Sequence, residues 1–202
     1  MIRLVLLFIV ILSPCQSLFD LAANVDNSDV VSGNVLRETF NSPECSNPCW
    51  LGIEVGVSDR EFVVDVLEQN NINYVANGDY TYNLYLEGNP SPLWRDMSEP
   101  LGDIHVFDDV AFPLSFSLNL CPRTIVETYG IPEVADNETS LELIYPDYGM
   151  SFWLDIETGR VRSVILYTLD YIDKNIPFSE RQSWENFSDI LFDDYCTDAL
   201  SQ

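Results

Sequence analysis

The chain has one histidine, His105, and one lysine, Lys174, among its 202 residues. Every Ser–His or Cys–His mechanism would therefore have to use His105. That residue alternates with Ile104 and Val106, which places it on the outward side of a strand as a structural, solvent-facing group. No G-x-S-x-G elbow, Walker motif or dinucleotide glycine motif occurs. Basic residues are equally scarce, with 9 Lys+Arg against 33 Asp+Glu and a net charge of −24. Such a surface repels nucleic-acid phosphates and anionic lipid headgroups, so nucleic-acid binding is excluded as a function class. The cysteines lack paired C-x-x-C spacing, which argues against a zinc site. No D-x-[DN]-x-[DN]-G loop is present, although surplus carboxylates leave structural calcium open. No metal or cofactor is expected.

Apolar residues make up 47% and aromatics 12%. That composition supports one buried core and excludes a disordered chain. The apolar run Leu4–Leu12 follows a single Arg3. It is too short to span a bilayer and has the length of a signal-peptide core. Residues 1–17 are therefore read as an export signal, with two competing fates. Cleavage near Ser17 would release a secreted protein. The run Ile11-Leu12-Ser13-Pro14-Cys15 has lipobox character and would place a lipid on Cys15, although Pro14 departs from the usual small residue. A lipid at Cys15 is the only membrane link expected. Either fate puts the domain outside the cytoplasm, secreted or anchored at the cell envelope.

Export changes how the remaining cysteines read. Cys45, Cys49, Cys121 and Cys196 form an even set, which in an oxidising compartment suggests two disulfides. Three connectivities are open, and Cys45 and Cys49 are close enough to pair with each other.

Residues 18–44 lack periodicity and read as a flexible spacer before a single α+β domain over 45–200. Ser58 and Glu61 have the S-x-x-E spacing of a capping box. Phe62, Val63, Val66 and Leu67 then continue a helix to about residue 69. Strands are predicted at Tyr80–Leu86, Leu93–Met97, Ile104–Asp108 and Leu114–Leu118, separated by prolines and Gly102. A second helix is predicted at Pro122–Tyr129, with Pro122 in its first turn and Gly130 at its end. Strands Leu141–Tyr145, Met150–Ile156 and Val161–Tyr167 follow, the last two joined through Glu157-Thr158-Gly159. Trp184, Phe187, Ile190, Leu191 and Tyr195 fall at helical spacing, predicting a C-terminal helix over 179–196 that packs back on the sheet. Helix-then-strands occurs twice, in units 50–118 and 119–170. The order predicts an α+β fold, an antiparallel sheet with helices packed on one face.

Gly52-Ile-Glu-Val-Gly56-Val-Ser58 followed by Phe62, Val66 and Leu67 resembles the opening of small bacterial envelope domains. These are the BamE/SmpA-like outer-membrane assembly lipoproteins and the β-lactamase-inhibitor-protein-like domains. Ile125-Val126 with Tyr129-Gly130-Ile131-Pro132 resembles the same family's helix end. Pro48-Cys49-Trp50 before the glycines is similar to exported proteins of environmental bacteria such as Chloroflexi. The resemblance covers roughly residues 48–168. It departs from the family in that the two motif halves lie in two units rather than one helical hairpin. It implies non-enzymatic protein binding.

Acidic pairs such as Asp108-Asp109, Asp155 with Glu157, and Asp193-Asp194 would be needed by a carboxylate-dependent extracytoplasmic hydrolase, the alternative reading. The leading one is a non-enzymatic binding or scaffold domain whose partner is another protein. Tyr80, Tyr82 and Tyr85, with Tyr145, Tyr148, Trp153 and Tyr167, lie on predicted strands; Tyr82, Trp153 and Tyr167 are taken from them as the candidate binding face, because Tyr and Trp concentrate at interfaces.

Overall fold

A computed structural model describes residues 33–85, 101–137, 140–175 and 181–183. Alternating sequences dominate it, and they form one nine-stranded antiparallel sheet with short helices, an α+β architecture. The expected strand Leu93–Met97, Leu86, Cys15 and Cys196 lie outside the described residues.

The chain enters through helix α1 (Gly33–Phe40), where a flexible spacer was expected. Leu36 and Phe40, one helical turn apart, are both buried in the core. A hairpin of β1 (Cys49–Trp50) and β2 (Ile53–Glu54) follows. Its two turn residues, Leu51 and Gly52, both have positive φ, as the tight hairpin that suits twisted strands requires. Cys45 and Cys49 are joined by a disulfide at the base of this hairpin. Trp50 packs on Phe116 with ring centroids 4.8 Å apart. Gly56 (φ 76°) has no room for a side chain, since a Cβ there would lie 2.4 Å from Thr168 Cγ2.

Helix α2 (Arg60–Gln69) is capped by Asp59, whose carboxylate accepts the Phe62 amide at 2.8 Å. The capping box expected of Ser58 is not formed. The Ser58 hydroxyl instead accepts the Glu54 amide, closing the preceding turn. Val63, Val66 and Leu67 are buried, whereas Phe62 faces solvent. Strands β3 (Asn73–Asn77), β4 (Thr81–Tyr85), β5 (Gly102–Phe107) and β6 (Val110–Leu120) come next. β6 runs through Pro113, where an interruption was expected; the Phe112–Pro113 peptide bond is cis.

Helix α3 (Pro122–Tyr129) matches its expected bounds, with Pro122 in the first turn and Gly130 at the stop. After it come β7 (Glu133–Asn137), β8 (Ser140–Tyr145), a 3₁₀ turn (Pro146–Tyr148), β9 (Met150–Asp155) and β10 (Arg160–Leu166). A five-residue helix, α4 (Tyr171–Asn175), precedes the short strand β11 (Arg181–Ser183). A helix had been expected at these last three residues; the rest of 179–196 lies outside the described residues.

The strand order is β11-β7-β8-β9-β10-β6-β5-β4-β3. Each of α2 and α3 is thus followed by a four-stranded meander, and the two meanders meet where β6 pairs with β10. One face of the sheet carries residues such as Leu84, Ile104, Phe116, Val164, Phe152 and Leu143. They share one core cluster with Leu36, Trp50, Val63, Leu67, Ile125 and Tyr129. Burial of apolar area at roughly 25 cal/mol per Å² drives this assembly.

Candidate functional site

The opposite face of the sheet is built by the alternate residues of the same strands. On β5, Asp103, His105 and Phe107 point away from the core that buries Ile104 and Val106. On β8 and β9, Glu142 lies across from Trp153 and Ile144 from Ser151. Ser163 and Ile165 of β10 oppose Trp153 and Ser151. Ser115 and Ser117 of β6 oppose Ile165 and Ser163. The middle of this second face is therefore a band of serines, with a distinct cluster on each side.

On the β4–β5 side the cluster is aromatic and exposed. The Phe107 ring lies 6.3 Å from Tyr80 and 6.2 Å from His105, with planes within 13° and 10° of parallel. Tyr80 is 58% and Phe107 55% exposed. His105 is held from both ring nitrogens, Nε2 at 2.8 Å from Asp103 Oδ2 and Nδ1 at 3.2 Å from Thr81 Oγ1. A neutral ring satisfies both contacts by donating from Nε2 and accepting the Thr81 hydroxyl at Nδ1. Burial raises the Asp103 carboxyl above its usual range, and His105 opposes the shift. The turn between β5 and β6 frames one end of the row. Asp108 and Asp109, the acidic pair, are the two positive-φ residues between β5 and β6. Asp109 also pairs with Arg60 at 3.2 Å, tying this turn to the start of α2.

On the β8–β9 side the cluster is polar and half-buried. Burial raises the pKa of Glu142. The Ser151 hydroxyl and Trp153 indole N–H partly offset that shift, yet neither reaches hydrogen-bonding geometry with a partner. Tyr167 is pushed up to about 12 by burial and by the nearby Glu142 carboxylate. Its ring stacks on Tyr171 of α4 at 4.8 Å.

The three residues singled out in the sequence thus separate. Trp153 and Tyr167 belong to this polar cluster. Tyr82 lies on the core face at 7% exposure, its ring 5.6 Å from Tyr74 and its hydroxyl accepting from Arg60. Of the exposed row, Tyr80 was among the strand aromatics offered for a binding face, whereas His105 and Phe107 were not; strand alternation at 105 and 107 was the signal that could have found them.

The two carboxyls with raised pKa, Asp103 and Glu142, sit on β5 and β8, four strand spacings apart. At about 4.8 Å per spacing they are some 19 Å apart, well beyond the roughly 5–9.5 Å of a glycosidase pair. Asp155, of the Asp155/Glu157 pair, accepts the Glu157 and Thr158 amides and so shapes its hairpin turn. Asp193 and Asp194 lie outside the described residues. Among the described residues no three His, Cys, Asp or Glu side chains are grouped to hold a metal ion, and no helix is long and apolar enough to cross a membrane. No protein-family model, curated protein or solved structure matches the chain.

Proposed function

We propose that the chain is an exported, non-enzymatic domain of the bacterial cell envelope that binds another protein through the second face of its sheet. The observation that carries this is the parallel row of Tyr80, Phe107 and His105, two of whose rings are more than half exposed. Large exposed aromatics on a rigid sheet bind with little entropic cost, because few rotatable bonds are frozen. His105 is positioned in advance by Asp103 and Thr81. The surrounding excess of carboxylates favours a partner with a basic rim.

In this reading α1, α2 and α3 form one layer on the apolar face, and the two helix-plus-four-strand units are tandem copies. The apolar leader and the cysteine set support export. The likeness of Gly52–Ser58 to envelope-domain openings supports protein binding without catalysis.

A photoreactive residue at position 107, introduced in the native host, tests the face. A discrete cross-linked partner is expected from position 107 and not from exposed position 127 on α3. Equal patterns at both positions would overturn the reading.

A further inference from the structure

β3 ends the sheet on one side, and its outer side pairs with no strand among the described residues. The hydrogen bonds of β4 decide which of its backbone groups point outward. The Tyr80 carbonyl accepts the Val106 amide at 2.7 Å, and the Leu84 carbonyl accepts the Leu101 amide at 2.8 Å. Tyr80, Tyr82 and Leu84 therefore turn their backbone toward β5, and Thr81, Asn83 and Tyr85 turn theirs toward β3. Those three stand opposite Asn77, Val75 and Asn73. The amides and carbonyls of Tyr74 and Ala76 are left pointing out of the sheet. Val75 on the second face and Ala76 on the other are both exposed, so the edge is open to solvent from either side.

Open edges are ordinarily blunted by lysine, proline, a bulge or brevity, because unpaired backbone groups capture other strands. The opposite edge of this sheet is blunted: β11 has three residues and carries Arg181. β3 has none of these devices. Its five residues, Asn-Tyr-Val-Ala-Asn, hold no charge and no proline, and its register against β4 is continuous. Val75 stands in its middle and is 57% exposed.

We propose, resting on the reading that the partner is a protein, that an extended basic segment of that partner adds to the outer side of β3 as a further strand, with an apolar residue against Val75 and a Lys or Arg beside Asp79. Charge selects this occupant. Over residues 59–85 and 101–110 the one Lys or Arg is Arg60, and Asp109 holds it at 3.2 Å. Asp79, in the turn that leaves β3, is exposed. Glu68 flanks the strand on its other face, where it accepts the Tyr74 hydroxyl at 3.4 Å. A second copy of this chain, with a net charge of −24, is repelled from the same edge. An added strand lies about 4.8 Å beyond β3. Continued past Asn77, it meets the turn that carries Asp79 and Tyr80, so one partner reaches both the edge and the aromatic row. Main-chain bonds to Tyr74 and Ala76 supply affinity, and Val75 and Asp79 supply selection.

The test titrates the mature chain with two short synthetic peptides of alternating Thr and Val. One carries Arg at both ends and the other Glu at the same positions, and amide hydrogen exchange is the readout. The Arg peptide is expected to slow exchange at Tyr74 and Ala76 by about tenfold or more, and the Glu peptide to bind about tenfold more weakly. Ala76→Pro removes an outward N–H alone, which is where an edge strand accepts proline, and should abolish the protection of Tyr74. Val75→Lys leaves the backbone intact and should weaken the Arg peptide through like charge. No protection, equal protection by both peptides, or protection that survives both substitutions would overturn the strand addition. So would a concentration-dependent dimer that Ala76→Pro prevents, because the edge would then belong to a second copy.

Cross-linking from position 107, repeated in the Ala76→Pro and Val75→Lys chains, separates this proposal from the reading beneath it. The partner's yield is expected to fall several-fold in both. An undiminished yield would overturn the strand addition and leave the face as the binding surface. No partner from position 107 in the wild type would overturn both.

Discussion

The Trp50 and Phe116 rings meet at 4.8 Å, and Phe40 reaches the same Phe116 ring at 5.6 Å. One side chain in the middle of β6 therefore ties the disulfide-closed hairpin and α1 to the sheet. Phe116→Ala is expected to cost about 3–5 kcal/mol, measured by chemical denaturation. Because α1 loses its docking contact, its amides should also lose hydrogen-exchange protection ahead of the sheet. A cost below about 1 kcal/mol would mean that Phe116 is not this hub.

Gly102 and Gly78 make a controlled pair. A Cβ at Gly102 would lie 2.1 Å from the Ser115 carbonyl oxygen and 2.9 Å from Phe116 Cα, so the neighbouring strand would have to move. Gly102→Ala should cost about 3 kcal/mol or more. Gly78 (φ 69°) has open space around it, and Gly78→Ala should cost only the left-handed backbone penalty of about 1–2 kcal/mol. Thermal denaturation of both variants checks the order.

Glu142 sets a pH dependence. Burial raises its folded pKa above the ordinary value of 4.5. Below 4.5 the carboxyl is protonated in both states and the fold carries no penalty. As pH rises from 4.5 through the raised folded value, the unfolded chain ionises more readily and stability falls. Glu142→Gln should therefore melt higher than the wild type at pH 7, with the gap closing toward pH 4. A gap independent of pH would show that Glu142 is not strained by its charge.

Export has its own expected outcome. Intact mass of the protein from its host should match a chain beginning near Leu18, or one beginning at Cys15 with added lipid. A full-length mass from the cytoplasm would contradict it.

The second half of the chain was legible because its signals are local. Pro122 and Gly130 bracket α3, and Glu157-Thr158-Gly159 turns β9 into β10. The parts that were missed lack such signals. Among the residues of α1 whose side chains are described, Leu36 and Phe40 are the buried apolar ones. β3 is asparagine-rich and mostly exposed; it pairs with β4, and Tyr74 alone packs against the core and reaches Glu68 of α2. The Ser58 capping box lost to Asp59 because Ser58 is needed by Glu54 in the preceding turn. Faces were harder still. Tyr82 looks like an interface residue in the sequence, but its register opposite Ile104 turns it into the core. Tyr80, His105 and Phe107 become a row only when β4 pairs with β5, a relationship between residues some 25 apart.

The most direct test of the binding face is the native mass of the tagged chain purified gently from its host, compared with that of a Tyr80→Ser/Phe107→Ser variant. Both side chains are more than half exposed, so the variant should fold with nearly unchanged melting temperature. The wild type is expected to carry a stoichiometric protein partner and the variant to run alone. A partner retained equally by both, or carried by neither, would contradict the account.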